Sequence, residues 1–499
     1  MKPIRKLPAL MLAVLMLVTT VGLAGCSKKP TEHPPVTTGT SQTDAEPGSS
    51  TDADTENEAP KDLHAKDILG ERDLSGQTIT FFNRTGGNMW DIRSLYAEEI
   101  LSEDINDAVF ARNEQLKEDY GFTVNLIDSG ATSYSKRLTQ AILGGDYGFD
   151  VVTACGYDMA ELAANAVLLD LTALDGLNLG SSWWNTTLNS QLSIGNALYY
   201  LSGDIICEDN MAVRCVFFNK GIADAIDHPA EELYTLATDR EWTFEEMFSL
   251  AALAYVDTGD KKTERIGFIA QNVFAGDVLL TAAGVRLTEK NDSDVPVFNQ
   301  SLPTDLVSAI TGYITGNGVR IESDALSPFR NNRALFMTEV LGTVSKIRDW
   351  DVKAGILPLP LYQKGQETYN HFADGNCLNL LALPTGNGAR RSNVIFMMEA
   401  MCIESDTTLN PAFYDKCLRG RYSSDPESRG MLTIILDSYF IEDANLYKRA
   451  WGSLQDDIIS AIMESQSVTT VLEKYRDSLP AEIAKTVNRL SEIAKAQRY

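Results

Sequence analysis

Metal-binding and catalytic patterns are scarce in this sequence. The four histidines, His33, His64, His228 and His371, lie far apart, and none of the seven cysteines forms a Cys-x-x-Cys pair. Residues 291–294 begin like a calcium loop but lack the glycine and the terminal glutamate of such loops. P-loop, Gly-x-Ser-x-Gly and His-Glu-x-x-His patterns are missing too. We therefore predict no metal site, no cofactor and none of the catalytic centres that these motifs mark.

Cysteine pairing is not specified by the sequence. Apart from Cys26, the cysteines lie in apolar surroundings, which favours buried free thiols. A disulfide between Cys402 and Cys417 stays open for an exported protein.

Basic residues are in a clear minority. The chain has 43 Lys and Arg against 69 Asp and Glu, for a net charge of −26. A surface of this sign repels nucleic acid and anionic lipid headgroups, and no basic cluster offsets it. We therefore predict that the protein does not bind nucleic acid.

A long apolar run occurs only at the N-terminus. Three basic residues precede an apolar stretch over residues 7–23, and Leu-Ala-Gly-Cys follows, ending at Cys26. This order is that of a secretory signal, and its end resembles a bacterial lipobox, which implies cleavage before Cys26 and a diacylglycerol on its sulfur. Two acyl chains suffice for stable anchoring. We expect an extracytoplasmic protein held on the cell membrane, with an uncleaved membrane anchor or a chance cysteine at position 26 as the alternatives.

The segment after Cys26 is too polar to fold. Residues 27–62 are rich in Thr, Ser, Pro, Glu and Asp, so they cannot bury enough apolar surface for a core. We predict a tether over residues 26–73, whose flexible part reaches roughly 35 Å. The remaining chain, about 430 residues long, exceeds one hydrophobic core and predicts two lobes.

The first part of the folded body alternates strands and helices. Residues 77–82, 122–127 and 149–153 have the β-branched and aromatic composition of strands, and helical patterns separate them. A β-α-β-α-β order favours a parallel sheet with right-handed crossovers. Ligands of such sheets collect at the carboxyl ends of the strands.

Polar and aromatic side chains follow these predicted strands and occupy later loops. Sugar rings lie on aromatic faces, and their hydroxyls bond to Asp, Asn and Arg. We predict that the ligand-binding residues are Asn83, Arg84, Trp90, Tyr157, Asp158, Trp184 and Asp204. For Trp90 and Asp204, a place in the core or in a turn fits the sequence equally well. Of the adjacent tryptophans, we expect Trp184 to face the ligand and Trp183 to pack.

Several motifs resemble the family 1 extracellular solute-binding proteins of bacterial ABC importers. The strand, turn and helix over residues 145–171 carry the resemblance first. Further matches are Trp183-Trp184, Gly203-Asp204, Phe218-Asn219-Lys220, the helix start at residues 241–246 and the segment at residues 354–360. Some of them are similar to a lipoprotein subgroup common in Gram-positive bacteria. The motifs are individually loose, but their order extends over residues 74–446.

The resemblance implies an α/β, two-lobed periplasmic-binding-protein-like fold of type II with a hinge between the lobes. On this basis we expect the first lobe at residues 74–212, the second at 213–353, a return to the first at 354–390, and a helical segment at 391–499 that packs on both. The implied chain crossings lie near residues 217–219 and 355–360.

The resemblance also implies a function. It predicts a monomer that captures a small solute, such as a sugar or oligosaccharide, and delivers it to ABC permease subunits. Two alternatives remain open from the sequence. A surface-tethered glycosidase needs only two carboxylates across a cleft, and a ligand-sensing partner of a membrane receptor would share the same fold.

Replacing Cys26 with Ala should release the protein from the membrane fraction, because the diacylglycerol would lose its attachment sulfur. Fractionation followed by immunoblotting measures this release. Intact-mass analysis of the mature wild type provides the control, and a mass without acyl chains on Cys26 would refute the anchor.

Overall fold

The structure, a computed structural model, describes residues 63–84, 92–128, 130, 134–145, 148–271, 275–347, 349–386, 388–414 and 426–497. All of them belong to one unit, Lys61–Tyr499. The described residues of this unit form four sheets: one of four strands, one of five and two of two strands each.

The described strands are β1 (Thr78–Asn83), β2 (Thr123–Asp128), β3 (Val151–Cys155), β4 (Arg214–Asn219), β5 (Ile266–Gln271), β6 (Thr288–Lys290), β7 (Pro296–Phe298), β8 (Val319–Glu322), β9 (Ala334–Val340), β10 (Ala354–Leu357), β11 (His371–Phe372), β12 (Asn379–Ala382) and β13 (Tyr439–Phe440).

The helices of the first part are α1 (Ala65–Leu69), α2 (Asp104–Tyr120), α3 (Tyr134–Gly144), α4 (Gly156–Ala164), α5 (Thr186–Leu192), α6 (Lys220–Ala225), α7 (Ala230–Thr238), α8 (Phe244–Ala254), α9 (Ala275–Ala282), α10 (Thr304–Ile314), α11 (Leu326–Arg330) and α12 (Val344–Ile347). The later helices are α13 (Arg391–Thr407), α14 (Leu409–Pro411), α15 (Pro426–Asp437), α16 (Asp443–Leu446), α17 (Lys448–Trp451), α18 (Leu454–Met463), α19 (Val468–Tyr475) and α20 (Ser478–Gln497). Short 3-10 helices lie at Leu171–Ala173, Asn210–Ala212 and Leu341–Thr343.

The four-stranded sheet has the order β12-β3-β1-β2. Its first three strands in the chain are parallel, because β1 pairs in parallel with both β2 and β3, as the β-α-β-α-β order predicts. Every residue of β3 is buried, which fits its continuous apolar sequence in the middle of the sheet. β12 closes the edge in the antiparallel direction. The carboxyl ends of β1 and β3 therefore lie side by side.

The five-stranded sheet has the order β10-β4-β9-β5-β8. β5 is parallel to β8 and β9, whereas β4 is antiparallel to β9 and β10. Residues 217–219 and 355–357, where we expected the chain to cross, are thus ladder residues of β4 and β10. The chain enters this sheet before Arg214 and leaves it after Leu357, so the return begins later than residue 354.

Three chain segments lie together between the two sheets. Val213 forms an antiparallel bridge with Ala373, and β11 pairs in parallel with β13. The Arg214 guanidinium donates to Asp374 across 2.5 Å, and both side chains are buried. The sequence indicated two of these segments but not the third, which passes through β13.

His371, in β11, holds in place the segment that returns from the five-stranded sheet. Its Nε2 accepts the Leu359 amide hydrogen at 2.9 Å, so Nδ1 carries the ring hydrogen toward the Ser438 hydroxyl at 2.8 Å. Burial lowers the pKa of His371 to about 3, and the ring is therefore neutral at neutral pH.

The helices after β12 pack against elements that surround the four-stranded sheet and the five-stranded sheet. α13 contacts α1 and α2, and α20 contacts α4, on the side of the four-stranded sheet. α15 contacts α7 and β10, and α18 contacts α9 and α10, on the side of the five-stranded sheet. The helical C-terminal segment therefore joins the two halves. No helix within the described ranges has the length and apolarity needed to cross a bilayer.

The contact between α8 and β5 requires a glycine at residue 267. A methyl group there would lie 1.9 Å from the Ala251 carbonyl oxygen. We expect Gly267→Ala to lower the free energy of unfolding by about 1–3 kcal/mol or more, because a packed backbone must move. In the matched control Gly312→Ala, on α10, nothing lies within 4 Å of the added methyl, and stability should rise by up to about 1 kcal/mol. Thermal unfolding followed by circular dichroism compares the two, and equal melting temperatures would contradict this packing.

Candidate functional site

The predicted ligand-binding residues fall into two groups in the structure. Asn83, Arg84, Tyr157 and Asp158 lie at the adjoining carboxyl ends of β1 and β3. Trp184 and Asp204 instead line a cavity whose described lining includes none of those four. Trp90 lies outside the described residues, as does the lipidation residue Cys26.

Asn83 organises the end of β1 from inside the protein. The Thr153 hydroxyl donates to its Oδ1 at 2.7 Å, and its Nδ2 donates to the Ile92 carbonyl oxygen at 3.1 Å. The side chain is fully buried. It therefore fixes the two ends of the loop that follows β1.

Asp158 forms ion pairs with two arginines at the end of β3. Arg449 donates to its Oδ1 at 2.6 Å and to Glu161 at 3.0 Å, while Nε of Arg84 lies 3.7 Å from Oδ2 of Asp158. Asp158 is buried, but both arginines are partly exposed. The carboxylate thus joins α17 to α4 and leaves guanidinium surface accessible beside it.

Tyr157 is more buried than an open stacking platform would be. Its hydroxyl donates to Oδ1 of Asn445 at 3.0 Å, and Nζ of Lys448 lies 4.5 Å from its ring centroid. Only 8% of the residue is exposed, and burial raises the pKa of its hydroxyl. The ring already has a cation as partner in this conformation.

The cavity of the second group has a volume of about 260 Å³. Its walls come from the segments before and after α5, the loop before β4 and the end of α14. The described lining residues are Ser182, Trp184, Asn185, Thr186, Gly203, Asp204, Ile206, Cys207, Asp209, Asn210, Asn410, Phe413 and Tyr414. Carboxylates, amides, hydroxyls and aromatic rings thus meet in one small space.

Two carboxylates give the cavity its charge. The Ser202 hydroxyl and the Asn210 amide, the latter at 3.2 Å, donate to Asp209. Burial raises the pKa of Asp209 to about 6. Burial also raises the pKa of Asp204 to about 7, against a lowering effect of its hydrogen bond with Asn410.

Trp184 forms a wall of this cavity. Only 1% of the residue is exposed, and a methyl group on Gly203 would lie 2.4 Å from its Cε3. The predicted division between the two tryptophans is therefore too simple. Trp184 is the more buried one, and it contacts the cavity as packed core rather than as an open ring face.

Glu399, a residue that the sequence analysis missed, positions both indoles. Its carboxylate accepts Nε1–H of Trp183 at 2.7 Å and of Trp184 at 2.9 Å, together with the amide of Asn178 at 2.7 Å. An acid inside the apolar stretch of α13 was the available signal, because a buried carboxylate needs several donors.

A second pair missed from the sequence holds the loop that leads to Asp209. Glu208 accepts the amides of Arg93 at 2.7 Å and Ser94 at 3.0 Å. The buried Arg112 donates to the carbonyl oxygens of Ser94 and Ile205 at 2.8 and 2.9 Å. Together they fasten the chain after Ile92 to the chain before β4.

In the part of the chain that the structure describes, we find neither a metal centre nor a thiol centre. No group of three or more His, Cys, Asp or Glu residues there could hold a metal ion. The described cysteines, Cys155, Cys207, Cys215, Cys377 and Cys402, are free and buried. Cys417 lies outside the described residues.

The sequence matches one family model. Residues 99–319 match the model described as bacterial extracellular solute-binding protein. No curated protein matches the chain significantly.

Solved structures share the fold at low sequence identity. An ABC substrate-binding protein from Listeria monocytogenes in complex with cycloalternan is 13% identical, with a TM-score of 0.54 over 82% of this chain and 99% of that one. A cyclic alpha-maltosyl-1,6-maltose binding protein from Arthrobacter globiformis is 11% identical, with a TM-score of 0.54 over 84% of this chain and 99% of that one. The maltose/maltodextrin-binding domain MalE from Bdellovibrio bacteriovorus, bound to maltotriose, is 13% identical, with a TM-score of 0.50 over 84% of this chain and 99% of that one. The two-lobed α/β fold expected from the sequence is thereby confirmed.

Asp204 should make stability depend on pH. Its pKa of about 7 in the folded protein exceeds the unfolded value of about 3.9. The contribution of Asp204 to the free energy of unfolding is therefore fully present below about pH 4 and is lost as the pH rises through about 7. Asp204→Asn removes this titration. Its stability relative to wild type should therefore increase between pH 5 and pH 8, by an amount on the order of 2 kcal/mol.

Urea unfolding of both proteins at the two pH values measures this difference. Asp209 and Asp406 face Asp204 and add to the rise of its pKa. The control Asp305→Asn removes an exposed carboxylate of α10 and should show no such change. A difference between Asp204→Asn and wild type that is constant with pH would refute the assigned environment.

Proposed function

The chain belongs to the bacterial extracellular solute-binding proteins, matched over residues 99–319, and from this premise we propose that it captures a carbohydrate outside the cytoplasm and delivers it to an ABC importer. The observation that carries the proposal is the cavity in which Asp204, Asp209, Asn210, Trp184 and Tyr414 meet. Planar polar groups beside aromatic rings are the partners that sugar hydroxyls and sugar faces require.

The similar structures support a carbohydrate as the solute. Cycloalternan, cyclic alpha-maltosyl-1,6-maltose and maltotriose are the compounds that those proteins bind. Ligand pockets commonly measure about 300–1,000 Å³, so the cavity of about 260 Å³ lies just below this range. We infer that it holds one sugar ring or the end of a short oligosaccharide.

We further propose that two lobes close on this solute. The first lobe comprises residues 74–212, the second residues 213–353 with β10, and the chain returns by residue 390 before the helical segment 391–499. The segments that bridge at Val213 and Ala373, beside β11 and β13, would form the hinge. A ligand that contacts both lobes stabilises the closed state by its differential affinity.

The strand-end group would complete the binding surface. Arg84, Asp158 and Tyr157 lie where ligands of α/β sheets collect, and Asn83 shapes the loop that carries Trp90. We propose that a longer oligosaccharide extends from the cavity toward this group.

The N-terminus would keep the protein beside its permease. We propose a signal peptide at residues 1–25, a diacylglycerol on Cys26 and a polar tether that ends near residue 62, before α1, instead of the expected residue 73, because α1 contacts α13. The folded body would act as a monomer. The net charge of −29 after removal of the signal supports a body that does not lie on anionic headgroups.

A glycosidase is the second candidate, because two carboxylates with raised pKa values line one cavity. Such enzymes use one acid of raised pKa and a second carboxylate. We propose binding without turnover, since Asp209 is engaged by Ser202 and Asn210. Incubation of stoichiometric protein with glycans should leave them intact, and catalytic release of reducing ends would favour the enzyme.

The proposal is tested first by thermal-shift screening against mono- and oligosaccharides, since a ligand of the folded state raises the melting temperature. Calorimetry then compares Asn410→Ala, which removes an amide from the cavity, with wild type. We expect roughly a fivefold loss of affinity, equivalent to one hydrogen bond of about 1 kcal/mol.

Asn331→Ala provides the control, because Asn331 is exposed at the end of α11. Tyr157→Phe tests the other group by removing only a hydroxyl. Reduced affinity in Tyr157→Phe together with unchanged affinity in Asn410→Ala would move the site to the strand ends. Failure of every carbohydrate to bind would refute the proposed function.

A further inference from the structure

The charged groups of the cavity all have one sign. Its described lining includes two carboxylates, Asp204 and Asp209, and no Lys, Arg or His. Trp184, Phe413 and Tyr414 supply aromatic surface beside them. A cavity of this composition attracts cations, because carboxylates and the faces of aromatic rings both carry negative potential.

Among the described residues behind the lining, acidic groups outnumber the one basic group near this loop, Arg112. Glu208 and Asp406 add two further carboxylates near Asp209 and Asp204. The buried Arg112 bonds to the Ile205 carbonyl oxygen beneath the same loop, but it also donates to the carbonyl oxygens of Ser94 and Leu95 and to Ser405. Its hydrogens are directed at these groups.

Two amide donors of the lining are also used within the protein. The Asn210 amide donates to Asp209 and, at 3.1 Å, to the Tyr414 hydroxyl. The Asn185 amide donates to the Tyr439 hydroxyl at 3.4 Å. Ser202, next to the lining residue Gly203, donates its hydroxyl hydrogen to Asp209. The carboxylate oxygens retain lone pairs, so a ligand rich in donors fits best.

Building on the proposed function, we propose that the captured carbohydrate is an amino sugar whose protonated amine lies between Asp204 and Asp209. An ammonium group has three donors and no acceptor, which complements the surplus of acceptors. It also supplies a positive charge, which no described residue of the lining provides. Charge-assisted hydrogen bonds are about twice as strong as neutral ones.

Matched ligands test the proposal by calorimetry at neutral pH and fixed salt. Glucosamine, N-acetylglucosamine and glucose differ only at carbon 2, and their β-1,4-linked disaccharides form a second matched series. We expect the free amine to bind roughly tenfold more tightly than either neutral compound. Equal or weaker binding of the amine overturns the inference.

A variant locates the preference in the cavity. Asp204→Asn keeps the shape of the side chain and removes its charge, so the affinity ratio of glucosamine to glucose should fall by roughly tenfold. Asp305→Asn removes the same charge from an exposed position of α10 and should preserve the advantage. Loss of the advantage in both variants would assign it to net charge and overturn the site.

The outcomes separate the two levels of the proposal. Binding of neutral sugars without preference for the amine leaves the proposed function in place and removes this inference. Binding of none of the sugars, with the fold intact by circular dichroism, removes both. A preference for the amine that persists in Asp204→Asn places the ammonium elsewhere and also overturns the inference.

Discussion

A buried carboxylate must be given donors, and this constraint determines how the loops around the cavity are arranged. Glu399 takes two indole hydrogens and one main-chain amide, and Glu208 takes two main-chain amides. Glu442 does the same for Leu287 and Thr288. Leaving a buried polar group without partners costs about 1–3 kcal/mol, and more for a charge. Glu399 and Glu208 therefore fix loop segments, and Glu442 fixes the start of the short strand β6.

The same constraint distinguishes the cavity from its surroundings. Around Glu399 and Glu208, the protein itself supplies the donors, and these acids serve the fold. At Asp204 the protein supplies little beyond Asn410, and burial raises the pKa of the side chain to about 7. A carboxylate that the fold leaves partly uncompensated retains binding capacity. Under the proposed function, this contrast distinguishes Glu399 and Glu208, which hold loops, from Asp204, which would meet the solute.

The local sequence pattern was sufficient to predict the parallel strands of the four-stranded sheet. The apolar run that ends in Val151-Val152-Thr153 predicted β3, and its separation from β1 by two helices predicted parallel pairing, because crossovers of this kind return the chain in the same direction. The prediction for β3 began at residue 149, two residues before the observed start at Val151. Strand limits depend on which ladder bonds form, and that information is not local.

The site was harder to predict, because its contacts join residues far apart in the chain. Asp204 and Trp184 were named from their residue types, yet the cavity also needs Asn410 and Tyr414, some two hundred positions later. Asn83 and Tyr157 were named as ligand contacts, but each has a buried partner within the protein. Residue type and strand-end position show which side chains can meet a ligand. They do not show which of these side chains already form hydrogen bonds within the protein.

The distribution of strands along the chain has a consequence for the order of folding. All strands of the five-stranded sheet lie between Arg214 and Leu357, so this sheet can close as soon as that segment has been synthesised and is free to fold. The four-stranded sheet must wait for β12, and Tyr199 must wait for the carbonyl oxygen of Leu490 near the chain end. Pairings between distant segments form slowly and expose strand edges in the meantime. The N-terminal half, although it emerges first, is therefore the part completed last.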